Sequence, residues 1–258
     1  MTSSPLLIDH ILFLLFGLIL PLNSVFRAQP RLKTLGPWNT RMKIGFYMGN
    51  SLSLWALAIV VVLVWYFTGR SLSILGFRLP NPDSTNLSLA IALAFIVAYG
   101  VYILTDMWSE KAKLKARKHL KKHTPFLPEN TYELRHFSFV ALSAGVCEEV
   151  LFRGFFITYL LSLFGNSFSA QAAALLIPTI IFAVSHFYQG WKAVAKIALL
   201  SLAFGILFII SQSLLVPILL HTFVDLVSGY AGMKIVQTDL PDDRNAPLWM
   251  NDLQEEEE

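Results

Sequence analysis

Residues 137–162 read FSFVALSAGVCEEVLFRGFFITYLLS, a stretch whose only charged residues are Glu148, Glu149 and Arg153. About 20 apolar residues span the hydrocarbon core of a bilayer as a helix. A backbone in lipid must satisfy its own hydrogen bonds, so a stretch of this length and character is predicted to be a membrane helix. Each ionisable group placed at the centre of such a helix costs about 2.5–3.5 kcal/mol on insertion scales. A chain that keeps three of them there has them paired or in use.

Working outward, six further segments have the same apolar character, near residues 6–26, 44–67, 87–108, 170–188, 193–211 and 214–232. The fold class predicted is all-α, a polytopic membrane helix bundle of about seven transmembrane helices, with six to eight as the range. Composition agrees. Of 258 residues, 55% are hydrophobic and 14% charged, against about 25% charged in ordinary soluble domains, and mean hydropathy is +0.58. A soluble protein of this size needs a charged surface; here lipid replaces water as solvent. The bundle is predicted to be one membrane-embedded domain over residues 1–232, with the polar stretch 233–258, ending in LQEEEE, a disordered tail. The N-terminal stretch MTSSPLLIDHILFLLFGLIL lacks a basic n-region and reads as a retained helix, not a signal peptide.

The net charge of +3 matters less than its placement. Arg27, Arg31, Lys33, Arg41 and Lys43 follow the first segment, and seven cations between Lys111 and Lys122 follow the third, whereas the second connection holds only Arg70 and Arg78. The positive-inside rule then puts the two basic loops and the C-terminus in the cytoplasm and the N-terminus outside. The basic stretch SEKAKLKARKHLKKH has two readings, an amphipathic helix on anionic headgroups or a solvated orientation signal; the second is preferred. Nucleic acid is not expected as a partner. Cys147, the single cysteine, excludes an intrachain disulfide and is expected to be a small packed residue.

Three segments carry ionisable residues inside apolar surroundings. In SAGVCEEVLFRGFF, Glu149 and Arg153 are four apart and share a helix face, which allows a charge-assisted pair. Glu148 lies about 100° further round and has no such partner. Ala141, Ala144 and Gly145 keep the preceding turns slim for close helix packing. In PTIIFAVSHFY, Phe182 and His186 are one turn apart; in VPILLHTFVDL, His221 and Asp225 are one turn apart, and Asp225 is expected to fix the tautomer of His221 or hold it charged. Helical rise puts His186 about 10 Å nearer the cytoplasmic side than Glu148, His221 and Asp225. This set suits water activation: a carboxylate in low dielectric as general base, one histidine to hold the water, another to stabilise an oxyanion. A structural ion pair accounts for Glu149 and Arg153 but leaves Glu148 unexplained.

These residues resemble the three motifs of a known family. EEVLFRGF resembles motif 1 (EExxxR) of the CPBP family, the CAAX prenyl endopeptidase and bacteriocin-processing or Abi family. FAVSH resembles motif 2 (FxxxH), and HTFVD motif 3 (HxxxN), with Asp225 where Asn is commoner. The resemblance covers the C-terminal half and implies an intramembrane protease with Glu148 and His186 activating water, His221 and Asp225 stabilising the oxyanion, and Glu149, Arg153 and Phe182 supporting them. It implies a membrane-associated or lipidated protein or peptide as substrate, membrane lipids as surroundings, and a multi-pass protein of the bacterial inner membrane in preference to the endoplasmic reticulum. Glu148, His186 and His221 would be the ligands if a divalent metal such as zinc is used. No HExxH is present, and a metal-free glutamate mechanism is preferred. The competing classes are a transporter or proton relay and a non-enzymatic scaffold or immunity protein that retains the motifs.

Overall fold

A computed structural model describes residues 4–28, 35 and 37–238. The described residues fold into eight helices, named here in chain order. They are α1 (Leu7–Arg27), α2 (Thr40–Phe67), α3 (Pro82–Met107), α4 (Glu110–His123), α5 (Thr131–Glu149, continued through residues 150–164), α6 (Phe168–Ser185), α7 (Trp191–Ser211) and α8 (Leu215–Val236). The starts follow the sequence. Asn39, Asn81, Ser109, Asn130 and Ser167 each accept a backbone N–H of the first helical turn, which satisfies one of the donors a helix start leaves free.

Six helices, α1, α2, α3, α6, α7 and α8, are long and apolar enough to cross a membrane. The chain is an integral, multi-pass membrane protein. The segment expected at 137–162 is helical too, but its three charges separate it from those six. Its helix begins earlier than expected, at Thr131, because Asn130 caps it there. Likewise α8 runs to Val236, past the boundary set at residue 232 from sequence. The rest of the expected tail, 239–258, and the loop cations Arg31 and Lys33 lie outside the described residues.

Both ends of the bundle are tied. At one end the turn around Gly76, whose φ of +90° excludes ordinary side chains, meets the α7–α8 hairpin: Leu214 N–H donates to Gly76 O and Asn81 N–H to Ser211 O. This hairpin is tight, with Gln212 in the left-handed region. Arg70 makes a two-pronged ion pair with the buried Asp9, locking α1 to the end of α2. At the other end Lys43, 1% exposed, pairs with Glu133 at 3.1 Å and Glu129 at 3.2 Å, and Arg117 of α4 donates to Thr238 O. The basic stretch is therefore a helix packed on the bundle, with Leu114 2% exposed.

The packing falls in two groups. One joins α1, α2, α5, α6 and the Leu75 turn around Phe155, Phe156 and Tyr159. The other joins α3, α7 and α8 around Tyr99, Phe204 and Leu220. Helix α5 lies against both α2 and α8. Its slim stretch behaves as expected: Ala141 and Ala144 are buried, and Gly145 touches α8 so closely that a Cβ there would sit 2.9 Å from Thr222 N.

Candidate active site

The charged run sits where α5 changes its winding. After Glu149 the helix passes into a π-helical stretch, Val150–Ile157, before regular winding resumes at Thr158. Such turns are rare and recur at functional sites. All of Val150, Leu151, Arg153, Gly154, Phe155, Phe156 and Ile157 are buried. A Cβ on Gly154 would meet Leu75 O at 2.9 Å, so this turn lies hard against the backbone of the Leu75 segment.

Glu149 is fully buried and organises the site. Its Oε1 accepts from Arg153 Nη1 at 2.7 Å and from His221 Nδ1 at 2.7 Å. Arg153, 2% exposed, turns its second nitrogen to Ser201, donating to both the carbonyl and the hydroxyl oxygen at 3.0 Å. The guanidinium lies between two rings, 5.3 Å from the Phe182 centroid and 5.5 Å from that of Phe204, within the range of cation–π attraction. The same rings border His221, at 5.9 and 5.8 Å. One buried ion pair thus joins α5 to α7 and α8. Breaking such a pair from one side costs about 3–5 kcal/mol, because the other charge is left buried alone.

This arrangement corrects one expectation. The carboxylate that fixes the tautomer of His221 is Glu149, from another helix, and not Asp225. An ionised carboxylate only accepts, so His221 Nδ1 carries the proton and Nε2 is the nitrogen turned to the site. Nε2 faces Glu148 Oε2 and Asp225 Oδ2, each at 3.7 Å, beyond hydrogen-bond reach of either. Glu148, with its side chain 15% exposed, and Asp225, at 31%, are both partly exposed. Glu148, His221 and Asp225 are therefore brought together, and Glu149 and Arg153 lie behind them.

His186 arrives from the end of α6. Its Nδ1 donates to Phe182 O at 2.8 Å, since a carbonyl can only accept, and Nε2 remains for other partners. Its ring stands 4.6 Å from Phe182, which in turn reaches His221. Asp225 and His221 are its charged neighbours. Among the described residues no hydrogen bond or ion pair joins His186 to Glu148, so the expected dyad is not in direct contact. Helix α6 ends at Ser185, leaving His186 at the rim of the site.

Four further residues shape the site without having stood out in the sequence. Ser201 and Phe204, on α7, lacked any charge or motif. So did Thr222, which packs on Gly145. Tyr188 follows His186 in the short turn Phe187–Gln189; its ring lies 6.0 Å from that of His186, and Gln189 Nε2 donates to its oxygen at 3.0 Å. Burial, with the nearby carboxylates of Glu148 and Asp225, pushes the phenol up to about 12. Tyr188 is thus a protonated donor in neutral solution. Its position two residues after a motif histidine was the available signal.

The described residues hold no group of three His, Cys, Asp or Glu side chains arranged to bind a metal ion. Glu148, His186 and His221, the ligand set offered by the sequence, do not form one.

A family model described as type II CAAX prenyl endopeptidase Rce1-like matches residues 131–227. This span starts at the first turn of α5 and ends two residues past Asp225, so it contains every charged group of the site. No curated protein and no solved structure matches the chain.

Proposed function

We propose that the protein is an intramembrane endopeptidase in which Glu148 activates water against a peptide bond of a membrane-associated or lipidated substrate, a reading supported by the match of residues 131–227 to the Rce1-like type II CAAX prenyl endopeptidase family model. The observation that carries the reading is the division of labour between neighbouring carboxylates. Oε1 of Glu149 is taken by both Arg153 and His221, whereas Glu148, its side chain 15% exposed, has no ion-pair partner closer than 3.7 Å among the described residues.

In this reading Glu148 takes a proton from water as the water oxygen bonds to the scissile carbonyl carbon. The resulting oxyanion is met by the Nε2–H of a doubly protonated His221 and by the Tyr188 hydroxyl. Glu149 holds His221 from behind. Asp225, beside Nε2, balances the imidazolium charge. The intermediate collapses by breaking the C–N bond, and Glu148 returns the proton to the leaving amine. His186, with Nδ1 committed to Phe182 O, offers the lone pair of Nε2 to the attacking water. No step passes through a metal, since the side chains do not form a metal-holding set.

The family description points to a prenylated C-terminal CAAX segment as the first substrate class to try. A prenyl chain would bring such a segment to the bilayer, and the cytoplasmic orientation expected from the basic loops would put the rim of the site on the side where prenylated proteins reside. A transporter is less well supported: residues 131–164 stay helical throughout, whereas transport sites favour unwound helices.

The test is a proteome-wide comparison of protein termini in membranes containing wild-type or Glu148→Gln protein at matched levels. The reading expects at least one membrane-associated protein with a new C-terminus in the wild type alone. Identical termini across growth conditions would refute it.

A further inference from the structure

The densest positive charge in the molecule lies on α4, where seven cations accompany one acidic residue, Glu110, within fourteen residues. Lys118, Lys121, Lys122 and Lys192 make no ion pair with a carboxylate among the described residues. Helix α4 is held in place: Leu114 is buried, Arg117 is bound to the end of α8, and Ser109 caps its start. Its basic outer face therefore has a set position on the bundle.

That position is marked by exposed aromatic residues. Trp108, immediately before α4, is 86% exposed; Trp191, at the start of α7, is 73%; Tyr132, at the start of α5, is 58%. Tryptophan and tyrosine gather at the level of lipid headgroups, so three helix ends around α4 place it at that level. Lysine ammoniums on flexible stems are compact point charges suited to phosphate oxygens, and basic segments at this depth are drawn to anionic leaflets.

We propose that the outer face of α4, together with Lys192, is a binding surface for anionic phospholipid headgroups. The surface adjoins the site's rim. His119 and His123 lie with their rings 4.6 Å apart, each 3.5 Å from where a Cβ on Gly190 would stand. Gly190 closes the turn that carries Tyr188. A headgroup on α4 thus rests against the segment that positions His186 and Tyr188. The proposal concerns lipid binding and holds whether or not the site is a protease.

The experiment uses the full chain in nanodiscs of equal phosphatidylglycerol and phosphatidylcholine, with the lipids retained after gentle delipidation counted by native mass spectrometry. A Lys118→Gln, Lys121→Gln, Lys122→Gln, Lys192→Gln variant is compared with the same four positions as Arg. All four are surface positions, and an unchanged thermal unfolding profile checks the fold. Wild type and the arginine variant are expected to retain phosphatidylglycerol preferentially, less so at high salt. The glutamine variant should lose at least about five-fold in retention, the effect of one such lysine. Equal retention of the two lipids by wild type, or undiminished phosphatidylglycerol on the glutamine variant, overturns the proposal. A preference that emerges only when Asp242, Asp243, Glu255, Glu256, Glu257 and Glu258 are neutralised would assign the face to the acidic C-terminal segment and also overturn it.

Discussion

Replacing Glu148 or Glu149 by glutamine makes the same chemical change one residue apart, and the structure expects opposite consequences. Glu149 is fully buried and accepts both Arg153 and His221 at 2.7 Å. Glu149→Gln keeps the shape but leaves Arg153, 2% exposed, with no carboxylate against it. Its two bonds to Ser201 survive, so the loss should fall at the lower part of the range for a broken buried pair, about 3 kcal/mol. Glu148 has only a 3.7 Å approach to His221 and a side chain 15% exposed. Removing its charge should cost less than about 1 kcal/mol, as for a weak, partly solvated pair. The assay is unfolding in mixed micelles followed by tryptophan fluorescence, with both variants beside wild type. Equal destabilisation by the two, or a larger loss for Glu148→Gln, would refute the assignment of one glutamate to structure and the other to chemistry.

Other perturbations probe separate parts. Gly145→Ala places a Cβ 2.9 Å from Thr222 N and 3.1 Å from its Cα; backbone cannot swing away, so about 1–3 kcal/mol should be lost and activity reduced as α5 and α8 separate, both measurable on one preparation. Tyr188→Phe removes the hydroxyl that the proposed mechanism sets against the oxyanion and is expected to lower kcat about 10²-fold, in line with a lost oxyanion donor, with stability unchanged; a rate within two-fold of wild type would remove Tyr188 from the mechanism. Burial, with His123, Lys192 and Lys196, holds His119 below its ordinary value, against the opposing bond to Gln189. Its neutral form is the one the fold favours, so the packing of His119 on the Gly190 turn contributes fully above about pH 6.5 and less as pH falls below that; lower protection factors at residues 187–190 at pH 5.5 than at pH 7.5, after correction for the pH dependence of intrinsic exchange and absent in His119→Gln, are expected. Elemental analysis of purified active protein should find no stoichiometric zinc, and activity should survive a chelator; one tightly held metal per chain would require a different mechanism.

The membrane fold was legible because hydropathy and length answer to a single physical demand, the thickness of the bilayer. It was least legible at α5. There the same three charges that mark the site also lower the apolar character of the helix, so it falls outside the six spans that length and composition single out, although its apolar residues still read as a membrane helix. The Glu149–Arg153 pair could be read from a spacing of four, since neighbours on a helix face depend only on local geometry. The bond from Glu149 to His221 could not, because it depends on how α5 and α8 pack. Sequence spacing favoured Asp225 as the partner of His221, and packing gave that role to the other helix. Ser201 and Phe204 were invisible for the same reason: nothing local distinguishes them from the apolar run around them. The charge of the basic stretch at α4 did not show how it is held: one leucine, Leu114, and one arginine, Arg117, dock it to the bundle.

The central claim, that Glu148 drives peptide-bond hydrolysis, is tested most directly with purified protein in nanodiscs and a farnesylated peptide ending in a CAAX sequence. Mass spectrometry would follow release of the C-terminal tripeptide by wild type and by Glu148→Gln protein shown to unfold normally. The account predicts release by wild type and none above background by the variant. Tripeptide released by Glu148→Gln at the wild-type rate would contradict it.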